Sequence, residues 1–312
     1  MARHQYAVFA DGTRAHHHVE LKVRPGAKPD AIARALIEVR SVGADHLANG
    51  SVNLALGFGP HLWGELAPDR VPDGLRDFPG YRNETAGQDV PATQTDLWLW
   101  AHGSGPDTVF DVIRAAVAAL DPVAEIVLDQ PCFVYHDSRD LTGFIDGSAN
   151  PDPDDAPTEA EIPAGQVGEA GTFAMTVRYE HDLEAFWALD VAAQEDVIGR
   201  SKSDSVALPA ERRPSDSHIT RAEAADASGD ELVVYRRSVP FADATIQGLH
   251  FVSFGRDLDR FDLQLRQMYG LTDDGVVDRL LAFTRARTGS FWFCPSVEDL
   301  DAVAPLPPDP ED

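Results

Sequence analysis

Three short segments hold residue types that could do chemistry. The first is Gly143-Phe144-Ile145-Asp146-Gly147-Ser148-Ala149-Asn150-Pro151, an acid bracketed by two glycines with a proline at the exit. Glycine admits positive φ and close backbone approach, so such a turn can hold a carboxylate as a proton donor or acceptor. An exposed Asp-Gly turn has the same pattern, and spacing alone does not choose between them. The second segment, Ser215 to Arg221, carries His218, one of eleven histidines. A lone imidazole fits a surface or core residue as well as a metal ligand. The third, Tyr235 to Phe241, carries Arg236 and Arg237. Paired arginines make solvated charge or ion pairs; in a cleft they bind an anion or stabilise developing negative charge.

Other motifs exclude more than they suggest. His16, His17 and His18 alternate faces if they lie in a strand, so they cannot converge on one ion, and they are expected at the surface. Cys132 and Cys294 lie far apart without a C-x-x-C, which excludes a finger-type zinc site or a disulfide framework; their apolar flanks predict buried, inert thiols. Neither a G-x-S-x-G elbow nor a phosphate loop occurs.

The elements that must position these segments follow from periodicity. Alternation predicts strands over 18–23, 51–58, 96–102 (Trp98 and Trp100 on one face) and 125–135. Helical spacing predicts helices over 30–42 and 108–120 and a short one near 61–66. The Gly-, Asp- and Pro-rich stretch 137–163 lacks periodicity and predicts a long ordered, functional loop. Strands then return over 171–179, 231–235, 249–255 and 290–294, with helices in 182–200, 258–269 and 276–285. The pattern is α+β: two β-α-β-β-α-β halves, with a ligand cleft expected between them. The Pro-rich acidic tail 305–312 predicts disorder.

The 312 residues are 43% hydrophobic, enough for a core and about two domains. A net charge of -26 opposes general binding to nucleic acid or anionic lipid. The sequence contains neither a run long and apolar enough for a membrane span nor an apolar signal core after its first residues, so cytoplasmic residence is expected.

In order, the segments resemble the dye-decolorising haem peroxidases, most of all their compact bacterial subgroup. The resemblance rests on G-F-I-D-G-S-x-N-P, I-G-R-S-K (198–202), S-H-I-T-R, R-R-S-V-P-F and F-T-x-x-x-T-G-S-F-W-F-C-P-S (283–296), together with G-F-G-P-H-L-W (57–63) and D-F-P-G-Y (77–81). It spans nearly the whole chain. It implies two ferredoxin-like halves with antiparallel sheets, residues 1–137 and 138–303, with haem b in the cleft on the C-terminal half and a tail over 304–312.

By the same resemblance His218 is the axial ligand of the haem iron. Asp146 is the distal carboxylate and Arg236 the distal arginine. Asp278 accepts the N–H of His218. Arg200 lies near a haem propionate, Lys202 and Asn150 border that edge, and Ile145 lines the cofactor pocket. Ser238 stands where relatives carry Asn, a departure that puts peroxide hydrogen bonding there in doubt. The implied activity is reduction of hydrogen peroxide to water through an oxo-ferryl haem, with dyes, phenolics or similar small reductants oxidised. Asp146 would shuttle the proton in its ionised form, which Arg236 favours by lowering its pKa. Trp98, Trp100, Trp187, Trp292, Tyr179, Tyr235 and Tyr269 are candidate electron relays, though core packing is the commoner reason for such residues and none is singled out. A haem carrier, sensor or iron-retrieval protein would also use His218 but needs neither Asp146 nor Arg236. A haem-free interaction protein is the third alternative. Some relatives are packaged in protein compartments through a C-terminal peptide, which the tail 305–312 does not resemble. Homo-oligomers are common in the family.

Overall fold

A computed structural model describes residues 2–225, 229 and 231–307. Strands β1 to β6 are Ala15–Val23, Val52–Phe58, Tyr81–Asn83, Gln88–Val90, Leu97–Gly103 and Ala124–Phe133. Strands β7 to β12 are Thr172–His181, Tyr235–Arg236, Val239–Ala242, Gln247–Gly255, Thr284–Ala286 and Ser290–Cys294. Apart from the β3–β4 hairpin they form one antiparallel sheet in the order β6-β1-β5-β2-β12-β7-β10-β8; β11 pairs with β7 and β9 with β10. Within each half the sheet runs fourth strand, first, third, second, the ferredoxin-like order. Among the described residues, the sheet passes from one half to the other through the pairing of Phe58 in β2 with Phe293 in β12.

Helices Pro29–Ala48 and Pro106–Leu120 cover one face of the first half. Ile32, Leu36, Val39, Val109, Val112 and Ala116 recur at helical spacing and share a core with Val19, Leu56 and Leu99. The opposite face is buried as well, because the strip curls until its two halves face each other. Trp98, Trp100 and Ala55 of the first half pack there with Ala174, Val252, Phe254 and Trp292 of the second. At the far edges Cys132 of β6 packs with Val239 and Phe241 of β9. Gly57 is required inside this barrel-like core: a Cβ there would lie 2.7 Å from Trp98.

Closure corrects one expectation. His16 and His18 are buried and His17 nearly so, the last paired with Asp129. Alternation holds, with His16 and His18 stacked on Trp100, but both faces of β1 are covered around these histidines, and the strand reaches solvent at Lys22 near its end. Residues 276–285 are not a helix. They form a 3-10 turn, Arg279–Ala282, followed by β11. The Asp278 carboxylate accepts from Leu280 N at 2.9 Å, and Thr284 to Ala286 pair with β7, which ends the helical course. In 231–235 only Tyr235 enters a strand, continuing to Arg236. Both cysteines are buried and free, and burial pushes both thiols up, away from the reactive thiolate. Of the tail, residues 308–312 lie outside the described residues.

Candidate active site

The loop from 137 to 163 joins β6 to β7 and is built around Arg139. Its main chain bridges Tyr135 and Ile145, and its guanidinium donates to the Gly143 and Lys202 carbonyls, both at 2.8 Å. Gly143 sits at φ +94 and Gly147 at φ +75, so both glycines bracketing Asp146 use the left-handed region. A Cβ at Gly143 would also lie 2.8 Å from Lys202 Cε. The Asp146 amide donates to Ser138 O at 2.9 Å, and its Oδ1 accepts from the Gly147 amide at 2.7 Å.

Arg236 reaches the same place from β8. Asn150 fastens the two segments: its Nδ2 donates to Arg236 O at 2.7 Å, and its Oδ1 accepts from Arg236 N at 2.9 Å. The Nε of Arg236 is buried with no partner among the described residues. His218, which lines the same cavity as Asp146 and Arg236, opens the short helix His218–Ala222. Its Nδ1 lies 2.7 Å from Asp278 Oδ2, and its Nε2 has no hydrogen-bond partner among the described residues. Asp278 is 1% exposed. A buried carboxylate beside Nδ1 assigns that nitrogen the proton and leaves Nε2 its lone pair.

Asp146, Arg236 and His218 thus line one cavity of about 890 Å³ including its opening to solvent. Ile145, Phe144, Met175, Leu249, Phe251, Leu265 and Met268 make its walls apolar. A flat apolar group with one metal coordination position facing His218 Nε2 fits it. The unpartnered Arg236 Nε can donate to an oxygen ligand held in the same cavity. The structure also brings in a pair that spacing did not reveal: Asp140 and His181 line the same cavity, with His181 Nε2 3.1 Å from Asp140 Oδ1. Thirty-odd residues of loop and a whole strand separate them, so no local motif marks the pair.

The remaining expected residues lie around this cavity without lining it. Ser238 Oγ accepts from Val252 N at 3.2 Å and faces a second, polar cavity of about 1210 Å³ including its opening to solvent. That cavity shares Asp146 and Arg236 with the first, and Asn150 borders it too. Arg200 donates to Ser205 O at 2.9 Å. The Lys202 ammonium donates to Gln194 Oε1 and sits 5.7 Å from the Phe144 ring, behind the wall.

The electrostatics depart from expectation at Asp146. Burial raises its pKa and outweighs Arg236, which pulls it down; Asp140 adds to the rise. Burial also works against ionised Asp140, but the His181 ring and the Thr142 hydroxyl and amide prevail and hold it at about 2.

Comparison with known proteins decides the family. Residues 5–133 match the N-terminal model of the Dyp-type peroxidases and residues 137–299 the C-terminal model. The chain belongs to the Dyp-type peroxidase family. A dye-decolorizing peroxidase of Brevibacterium linens is 30% identical over 291 residues, 90% of this chain and 77% of that protein. One from Mycolicibacterium paratuberculosis is 34% identical over 221 residues, 70% of this chain and 62% of that protein's length. Among solved structures, a putative dyp-type peroxidase from Shewanella oneidensis superposes with a TM-score of 0.90 at 28% identity, covering 96% of this chain and 98% of that one. A variant of Rhodococcus jostii RHA1 DypB in complex with heme gives 0.88 at 29% identity, with 96% and 98% covered.

Proposed function

We propose that Asp146, Arg236 and His218 carry out the haem-dependent peroxidase function of this family in this chain. One observation carries the assignment. Three segments far apart in sequence bring a carboxylate, an unpartnered guanidinium nitrogen and a carboxylate-backed imidazole to a single apolar-walled cavity. Haem, held by His218 Nε2 against those walls, supplies the site that binds hydrogen peroxide and the two-electron redox chemistry.

The side chains do the rest. With haem bound, Asp146 would accept one proton of hydrogen peroxide and return it to the oxygen that leaves as water. This needs the carboxylate, and burial works against it, so Arg236 supplies the opposing positive charge. Arg236 Nε donates to the departing oxygen as negative charge grows there. Asp278 draws the His218 Nδ1 proton, which makes the imidazole a stronger electron donor. Asn150 keeps Arg236 in register with the Asp146 loop. Its role is positioning rather than haem contact.

Dyes and phenolics are the proposed electron donors. Cytoplasmic residence belongs to the same proposal, and the encapsulated relative from Mycobacterium smegmatis makes a shared compartment the competing location. The described residues contain no helix long and apolar enough to cross a membrane. A haem carrier has no use for a carboxylate and an arginine held together over the binding cavity. Stopped-flow mixing of haem-loaded Asp146→Ala and Arg236→Leu with hydrogen peroxide tests the roles. Each variant should react more slowly than wild type; wild-type rates in both would sink the assignment.

A further inference from the structure

Inside the closed sheet, away from the cavity, three buried tryptophans form a stack. Trp98 lies 6.0 Å from Trp100 with planes 8° apart, and 6.2 Å from Trp292 with planes 24° apart. The stack begins next to the proposed site: Arg237, adjacent to Arg236, places its guanidinium 5.1 Å from the Trp100 ring centroid. It continues behind the cavity wall. Met175 and Tyr179 of β7 line the cavity, while Thr176 turns to the opposite face and meets Trp292.

The three indoles differ in where an N–H proton could go. Trp98 Nε1 is buried with no partner among the described residues. Trp100 Nε1 donates to His16 Nδ1 at 3.2 Å, but burial and then Arg237 keep His16 from holding a proton, down to about 3. Trp292 Nε1 donates to Thr176 Oγ1 at 2.9 Å, and that hydroxyl donates to Glu20 Oε1 at 3.2 Å. Glu20 is 1% exposed, and its partners among the described residues are the hydroxyls of Thr176, Ser290 and Thr95 rather than cations. A buried carboxylate without a cation is costly, so this site favours taking up a proton.

We propose that Trp292 is a redox site that holds an oxidising equivalent as a neutral indolyl radical, its proton passing through Thr176 to Glu20. One electron leaves the indole for haem that peroxide has oxidised by two electrons, and the haem is reduced by one. The Trp292 N–H proton moves to the Thr176 oxygen as the Thr176 hydroxyl proton moves to the Glu20 carboxylate. Indole plus carboxylate become indolyl radical plus carboxylic acid. An electron from a phenolic or dye reductant reverses both transfers. The guanidinium over Trp100 opposes positive charge there, and the carboxylate near Trp292 favours loss of a proton, so the equivalent settles at Trp292. Burial raises the Glu20 carboxyl to about 7, which makes it a good resting place for that proton.

The inference rests on haem peroxidase function but not on the roles of Asp146 and Arg236. Its test is electron paramagnetic resonance on haem-loaded protein freeze-quenched after peroxide, in ordinary and heavy water. Haem absorption is recorded on the same samples. Wild type should show an indolyl radical without exchangeable N–H coupling. Trp292→Phe and Glu20→Gln should lose it while the haem absorption still responds to peroxide. Thr176→Val cuts the same relay and stands in if Glu20→Gln does not fold. Responsive haem with no indolyl radical in wild type overturns the proposal. So does a neutral radical of undiminished intensity in Trp292→Phe, or in both relay variants. Wild-type haem that does not respond to peroxide overturns the proposal by removing the peroxidase function beneath it.

Discussion

Replacing Asp278 with Asn preserves shape and removes charge at the group behind His218. Asp278 is 1% exposed and accepts on two separate oxygens, from His218 Nδ1 at 2.7 Å and Leu280 N at 2.9 Å. Asn has one such oxygen, so whichever donor keeps it, the other faces an NH2 group. Losing a hydrogen bond to a buried charged acceptor costs about 1.5–3 kcal/mol. At roughly 2 °C per kcal/mol for a chain of this length, the haem-free variant should melt about 3–6 °C lower. The carboxylate also favours ferric over ferrous haem, because it stabilises positive charge on the imidazole and iron. If all of that energy is specific to the ferric state, the reduction potential rises by about 60–130 mV, at about 59 mV per tenfold for one electron. Spectroelectrochemical titration of haem-loaded wild type and Asp278→Asn measures it. An unchanged potential with haem still bound to His218 would refute the electron-donating role and leave Asp278 only the cap on Leu280.

Two further perturbations follow from the geometry. Asn150→Ala removes both hydrogen bonds to the Arg236 main chain; the peroxide reaction should slow by about 10- to 100-fold through loss of positioning, with haem affinity unchanged in a binding titration. Glu20→Gln addresses stability. Burial lifts the Glu20 carboxyl from 4.5 to about 7, so its stabilising contribution is complete below about 4.5 and is lost as pH rises through about 7. That difference corresponds to about 3 kcal/mol at most, and glutamine does not titrate. Melting curves of wild type and Glu20→Gln should therefore separate between pH 5 and 8, the wild type losing more; parallel curves would show that Glu20 does not titrate across that range.

Most of the strands and the two long helices were legible because apolar residues recur in each at its own period. Ile32, Leu36 and Val39 mark one helix, and Val52, Leu54 and Leu56 mark a strand. Other features were not legible, or only partly so, for different reasons. His16 and His18 follow strand alternation, but alternation says only that faces differ; closure of the sheet buries both faces, and no local pattern encodes closure. Residues 276–285 have helix-like spacing, yet side-chain capping by Asp278 and pairing with β7 override it. Asp146, Arg236 and His218 were found by resemblance, each being ambiguous alone. The Asp140–His181 pair is a contact between a loop and a strand end, which no spacing announces. The charge state of Asp146 was only half legible: the effect of Arg236 follows from proximity, but the larger effect of burial needs the cavity.

The most direct test is the absorption spectrum of haem-loaded wild type and His218→Ala, before and after one equivalent of hydrogen peroxide. Wild type should show a Soret band of histidine-ligated haem that shifts on adding peroxide and returns when a phenolic donor follows. His218→Ala should bind haem weakly or show a Soret band without imidazole ligation. A wild-type band that stays put or only bleaches, or a His218→Ala spectrum matching wild type before and after peroxide, would contradict the account.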